Sequence, residues 1–142
     1  SVQAQILNLL AQLRREHALT YLLISHDLGV VRYLSDRIGV MYLGRLFEMG
    51  HAAKVIADPL HPYTQMLVSA VPLPDPVLAR TRQRIMARGE PPSPVHLPTG
   101  CFLHPRCPSA IPICSHVVPR WTAPKTGHQV ACHLHGPTET ST

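Results

Sequence analysis

The stretch T-Y-L-L-I-S-H-D-L-G-V-V, Thr20 to Val31, decides how this 142-residue chain is read. An apolar run on successive residues stops at Ser25-His26-Asp27. Such a run marks a strand covered on both faces, as in a parallel sheet. The turn that ends it puts a histidine at the carboxyl end of the strand, where open α/β sheets place their ligands. An imidazole there can donate to a phosphoryl oxygen or orient a water. Ser25, His26 and Asp27 do not make a hydrolase triad. Triad members come from separate parts of a chain, and neighbours on an extended strand point in opposite directions. On these three residues alone, a buried histidine bonded to a backbone carbonyl is the plainer reading.

The flanking residues extend an α/β pattern in both directions. Ile6, Leu9, Leu10 and Leu13 recur at helical spacing, with Ser1 placed to cap the helix. Asp27 can cap a short helix through Val30, Val31 and Leu34. Ile38 to Leu43 reads as a second buried strand, Gly44 as a tight turn, and Arg45 to Gly50 as a hairpin partner. Residues 1–50 are thus a helix-strand-helix-strand run, the end of a layered α/β domain. Residues 51–72 give two helices, one stopping before Pro59. The other opens at His61-Pro62, with Met66, Leu67 and Ala70 as its apolar face. Residues 73–94 form a Pro- and Arg-rich linker, and 95–142 a cysteine region. Tyr63 and Pro62 are expected to pack the second helix onto the α/β body. Asp36 and Arg37 read as a surface turn, and Trp121 as a core or site-covering residue.

Composition narrows the function classes. The chain has 15 prolines, about twice the usual share of roughly 5%. Most lie between Pro72 and Pro124, which predicts a loop-rich second half. The net charge is +5, but the basic residues form no stripe. Arg14 and Arg15 sit on the first helix, while Arg80, Arg82, Arg84 and Arg88 sit in the linker. No aromatics are interleaved with them, as a single-strand platform would need, so a solvated basic surface is expected rather than a nucleic-acid site. No apolar run approaches the roughly 18 residues of a membrane span, and the chain runs from Ser1 directly into an amphipathic pattern with no n-region or signal peptide. The expectation is a soluble intracellular piece whose beginning is missing. No Gly-rich phosphate loop is present, so this chain alone should not bind a nucleotide by the usual route.

Cys101, Cys107, Cys114 and Cys132 are spaced C-x5-C-x6-C-x17-C. That is neither the C-x2-C pair of zinc ribbons nor the ferredoxin run. Spacing alone leaves disulfides, zinc and an iron–sulfur cluster open. Disulfides are disfavoured in a cytosolic chain. His104, His116, His128, His133 and His135 could serve as alternative ligands, which keeps zinc in play.

Three segments together carry a resemblance. They are S-V-Q-A-Q-I-L-N-L-L with the run from Leu19 to Gly50; H-P-Y-T-Q-M-L-V-S-A-V-P; and the cysteine-bearing G-E-P-P-S-P-V-H-L-P-T-G-C-F-L-H-P-R-C-P-S-A-I-P-I-C with G-H-Q-V-A-C-H. Over essentially its whole length the chain resembles the ATP-binding subunits of ABC transporters, most strongly the oligopeptide/dipeptide importer group. The resemblance implies an α/β fold: the C-terminal part of an ABC-type P-loop ATPase domain, then a small helical, loop-rich extension with cysteines. It makes His26 the switch histidine, contacting the γ-phosphate of ATP. It puts the Walker A lysine, Q-loop, signature motif and Walker B carboxylates upstream of Ser1, so the ligands of ATP and Mg are not in this chain. Phosphoryl transfer needs those parts, and the chain alone is expected to hydrolyse no ATP.

The same resemblance implies a 4Fe–4S cluster on Cys101, Cys107, Cys114 and Cys132, with zinc as the alternative. The cluster's expected role is to staple a region with too little core to fold unaided. The group's usual run is Cys-Arg-Phe-His-Pro-Arg-Cys. Here Cys101-Phe102-Leu103 moves the aromatic one place earlier without removing a ligand. Implied partners are a second ATP-binding subunit, transmembrane permease subunits and, indirectly, a substrate-binding protein, with no nucleic acid. The implied location is the cytoplasmic face of the cell membrane, held peripherally. The implied cargo is a peptide or a related small substrate such as a nickel complex. The rival from another class is a stand-alone cysteine-rich metal module with a regulatory or nucleic-acid-binding role.

Overall fold

The computed structural model of the chain describes residues 2–72, 84–93 and 95–136. The expected cap Ser1 and most of the expected linker, 73–83 with Arg80 and Arg82, lie outside those residues. Helix α1, Val2–His17, ends in Arg14, Arg15 and His17, cations at the negative end of the helix dipole. It buries none of its side chains. Arg14 donates to Leu34 O at 2.7 Å and to Asp36 at 3.2 Å, tying α1 to the end of helix α2, Leu28–Leu34.

The segment Thr20–Ser25, expected as a buried strand, has no regular structure. Leu22 and Ile24 are 92% and 90% exposed. A strand needs a ladder partner for its backbone groups, and none of the described strands pairs with this segment. The parallel sheet expected around it is therefore not formed. The sheet that does form is antiparallel throughout, in the order β1-β2-β4-β3.

Strands β1 (Arg37–Tyr42) and β2 (Arg45–His51) make the expected hairpin. Leu43 and Gly44 connect them, both at positive φ (45° and 78°), the backbone of the primed two-residue turns that suit strand twist. β1 alternates, with Ile38 and Val40 buried and Arg37, Gly39 and Met41 exposed. It is half-buried, not buried on both faces. Helices α3 (Ala52–Ala57) and α4 (Pro62–Ala70) follow. Pro62 stands at the first helical position, where its missing N–H costs nothing. Met66 of the expected apolar face is buried and Ala70 is exposed. Tyr63 packs against Tyr42 and Phe47, with ring centroids 4.8 and 6.4 Å away, as expected of a residue joining α4 to the hairpin.

The cysteine region is less loop-like than its prolines suggest. It carries three short 3-10 turns. It also supplies β3 (Trp121–Lys125) and β4 (His128–Ala131), half of the four-stranded sheet. β4 pairs with β2 through Glu48↔Val130, Met49↔Gln129 and Gly50↔His128. Chain segments about eighty residues apart thus share one ladder. Trp121, expected as a core or site-covering residue, is 45% exposed on β3. The main apolar cluster joins Phe47 and Met66 to Cys101, Phe102, Leu103, Cys107 and Cys114.

Candidate functional site

The four cysteines are buried and free, and all four line one narrow cavity. Three features of local sequence bring them there. Gly100 takes φ +64°, and a Cβ on it would fall 2.4 Å from Cys114 O. Only glycine lets these backbones close, and Cys101 N–H then donates to Cys114 O at 2.8 Å. The His104–Arg106 turn, begun by His104-Pro105, folds the chain between Cys101 and Cys107. The β3–β4 hairpin delivers Cys132 at the end of β4.

Backbone N–H groups surround the sulfurs. Those of Leu103 and His104 donate to Cys101, that of Ser109 to Cys107 and that of Leu134 to Cys132. These bonds favour the thiolates, but burial acts more strongly against them. Burial pushes the Cys101 and Cys107 thiols up and the Cys132 thiol up to about 11. The neighbouring thiols add to each rise: Cys132 feels Cys101, Cys107 and Cys114. A bound cation would reverse that for Cys101, Cys107 and Cys132.

The histidines offered by sequence as alternative ligands are mostly engaged elsewhere. His104 Nδ1 meets Cys101 O (2.9 Å), His133 Nε2 meets Val117 O (2.8 Å), and His135 Nε2 meets Leu60 O (2.9 Å). His116 is exposed. His128 Nε2 donates to Glu48 Oε1 at 2.6 Å, both side chains being fully buried.

Glu48 was not legible as a site residue. In sequence it is one charge on an alternating strand. In the fold its carboxylate accepts from Leu60 N (2.8 Å), His61 N (2.9 Å) and His128. It thereby joins β2, the start of α4 and β4 beneath the cysteines. His61 was also missed. Its ring caps α4, with Nδ1 accepting from Tyr63 N–H at 3.1 Å, and it borders the cysteine cavity. The signal available was the His-Pro-Tyr run itself, since a capping residue before an N1 proline has a fixed side-chain direction.

His26 is exposed and lines no part of that cavity. It sits in a turn in which Ser25 Oγ accepts from Asp27 N–H and Asp27 Oδ1 accepts from Gly29 N and Val30 N. The expected cap of α2 is present, and it leaves the imidazole free of the helix.

Residues 47–114 match the family described as oligopeptide/dipeptide transporter, C-terminal region. That span includes Glu48, the His61-Pro62-Tyr63 run and three of the four cysteines. The chain is 50% identical over 135 residues to the oligopeptide transport ATP-binding protein AppF of Bacillus subtilis, covering 95% of this chain and 41% of that protein. It is 50% identical over 119 residues to the oligopeptide transport ATP-binding protein OppF of Salmonella typhimurium, covering 84% of this chain and 36% of that protein. The chain is similar, along most of its length, to the C-terminal part of oligopeptide transport ATP-binding proteins. It spans about two fifths of the length of these relatives.

Among the described residues, no group of three or more His, Cys, Asp or Glu side chains is arranged to hold a metal ion. A tetrahedral zinc site needs its donors around one centre. A cubane cluster takes one thiolate per iron, so its four sulfurs stand farther apart around their common centre than those on a single ion. Four buried thiols, with backbone N–H groups at three of them and an apolar surround, are donors of the type such a cluster takes. Among the described residues no helix is long and apolar enough to cross a membrane.

Proposed function

We propose that this chain forms the C-terminal part of an ATP-binding subunit that powers import of peptides or related small substrates. The observation that carries the proposal is the 50% identity to importer ATP-binding proteins along nearly the whole chain. The surface supports it. Ile6, Leu9, Leu22 and Ile24 are all more than half exposed, an apolar face that the remainder of an ATP-binding domain would cover. In this reading residues 1–50 complete that domain, 51–72 carry the His-Pro-Tyr helices, 73–94 link and 95–142 hold the cysteines.

His26 then acts as the switch histidine. The Asp27 cap fixes the start of α2 and leaves the imidazole at the end of the apolar segment, free to donate to a γ-phosphate oxygen. ATP bound between two such subunits favours their closed pair, and the permease subunits follow that population shift at the cytoplasmic face of the membrane. ATP and Mg are held by residues this chain does not carry, and the chain alone hydrolyses no ATP.

We further infer that Cys101, Cys107, Cys114 and Cys132 hold a 4Fe–4S cluster. The cluster would supply iron–thiolate bonds that staple the region; the residues themselves supply burial, N–H donors and a closed loop through Gly100. Zinc is the alternative reading; the resemblance to the importer group is what favours the cluster.

The test is a chimera in which this chain replaces the matching part of AppF. Vesicles carrying it with its permease partners should hydrolyse ATP, and His26→Ala should reduce turnover at least about a hundredfold, as expected when a group contacting the transferred phosphoryl is lost. A His26→Ala chimera as active as its parent would overturn the role given to His26.

A further inference from the structure

His61 is held more tightly than a helix cap requires. Its Nδ1 accepts from Tyr63 N–H at 3.1 Å. Its backbone N–H donates to Glu48 Oε2 at 2.9 Å. Its ring stacks on Phe47 at 4.5 Å between centroids, 24° from parallel. The residue is 1% exposed. A ring nitrogen that accepts a backbone N–H carries no proton, so the ring is a neutral imidazole. A neutral imidazole has one N–H, and the hydrogen bond at one nitrogen decides where it sits. Because Nδ1 accepts, Nε2 carries the proton. That Nε2 is buried and has no hydrogen-bond partner, while the ring lines the cavity shared by the four cysteines. A buried N–H without a partner is rare and calls for one.

We propose that His61 Nε2–H is a fixed hydrogen-bond donor to the iron–sulfur group in that cavity, a positioning and tuning residue and not a ligand. The proposal rests on the cluster reading given above. A protonated nitrogen cannot bind iron, but it can donate to a thiolate or to sulfide. Donors to the sulfurs stabilise the more negative, reduced cluster and raise its potential, and partners of this kind also hold the metal in place. The His-Pro-Tyr run gains a physical account: histidine caps and donates, proline starts the helix, and tyrosine supplies the capped N–H and packs on the hairpin. Glu48 positions His61 from below.

The test uses the whole chain, reconstituted without oxygen with ferrous iron and sulfide. His61→Asn keeps a capping oxygen for Tyr63 N–H but is too short to reach the cavity; His61→Gln restores part of the reach. The asparagine variant should show a lower cluster potential and lose iron to a chelator about tenfold faster or more, the size expected for one hydrogen bond to a charged group. His61→Gln should lie between. In wild-type chain labelled with 15N-histidine, the reduced cluster should show a weak nitrogen coupling in pulsed EPR that is absent in His61→Asn. This last readout needs no variant potential. A loaded wild type with no such coupling, or an asparagine variant with unchanged potential and iron release, overturns the role of His61 and leaves the cluster standing. A wild type that takes up no iron and sulfide overturns the cluster reading and this proposal with it.

Discussion

Replacing Glu48 with alanine should unfold the region that gathers the cysteines. The carboxylate takes three buried hydrogen bonds, from Leu60 N, His61 N and His128 Nε2. Alanine leaves all three donors buried without an acceptor. Each costs about 1–3 kcal/mol, and breaking a buried charged pair costs about 3–5 kcal/mol in total. A loss of about 4 kcal/mol is a large fraction of the roughly 5–15 kcal/mol available to a small domain. Glu48→Gln should cost only about 1–3 kcal/mol. Its carbonyl can keep the place of Oε1, which serves Leu60 and His128, while its amide meets the His61 N–H and loses that one bond. Urea unfolding followed by circular dichroism and by the single tryptophan, Trp121, reads both. The order wild type, glutamine, alanine is expected. An alanine variant within about 1 kcal/mol of wild type would show that Glu48 does not carry the junction of β2, α4 and β4.

Other outcomes follow from the same geometry. The His61 pKa lies near 4 in the folded chain against 6.5 ordinarily. Between those values the unfolded chain binds the extra proton, so this contribution is complete above pH 6.5 and is lost as pH falls towards 4, by about 3 kcal/mol at most. Urea midpoints measured across that range should slope less in His61→Asn. Gly100→Ala combines a positive φ with a Cβ 2.4 Å from Cys114 O; it should cost about 2 kcal/mol or more and impair iron uptake, as read by absorbance after reconstitution. His26→Ala should change the stability of the chain by no more than about 0.5 kcal/mol, since the side chain is exposed; a larger shift in the urea midpoint would give His26 a structural role.

Local signals made part of the architecture legible. Gly44 between two apolar runs marked the β1–β2 hairpin, Asp27 the start of α2, and Pro59 and Pro62 the break between α3 and α4. The resemblance was legible because three separate segments agreed. Two errors share one cause. Thr20–Ser25 was expected as a strand, and the prolines were expected to keep the cysteine region in loops. Strand formation depends on a partner. Thr20–Ser25 finds none among the described residues, while His128–Ala131 finds β2 about eighty residues back. That pairing also explains why Glu48 was missed. Its neighbours in sequence suggest a half-exposed strand, and its burial comes from β4 and the Leu60-His61 backbone. The cysteines were found by type, but their shared cavity depends on the Gly100 approach and the β4 pairing. His61 was visible as a helix start; its free Nε2 is a property of the folded ring alone.

The most direct test of the four-thiol site is the iron and acid-labile sulfide content of the chain purified without oxygen, compared with Cys132→Ser. Cys132 is the cysteine most distant in sequence, delivered by β4 to the cavity of the other three. The account predicts about four irons and four sulfides per wild-type chain, and a serine variant that loses most of both. Iron-free wild-type chain, or a serine variant that keeps its full iron and sulfide, would contradict it.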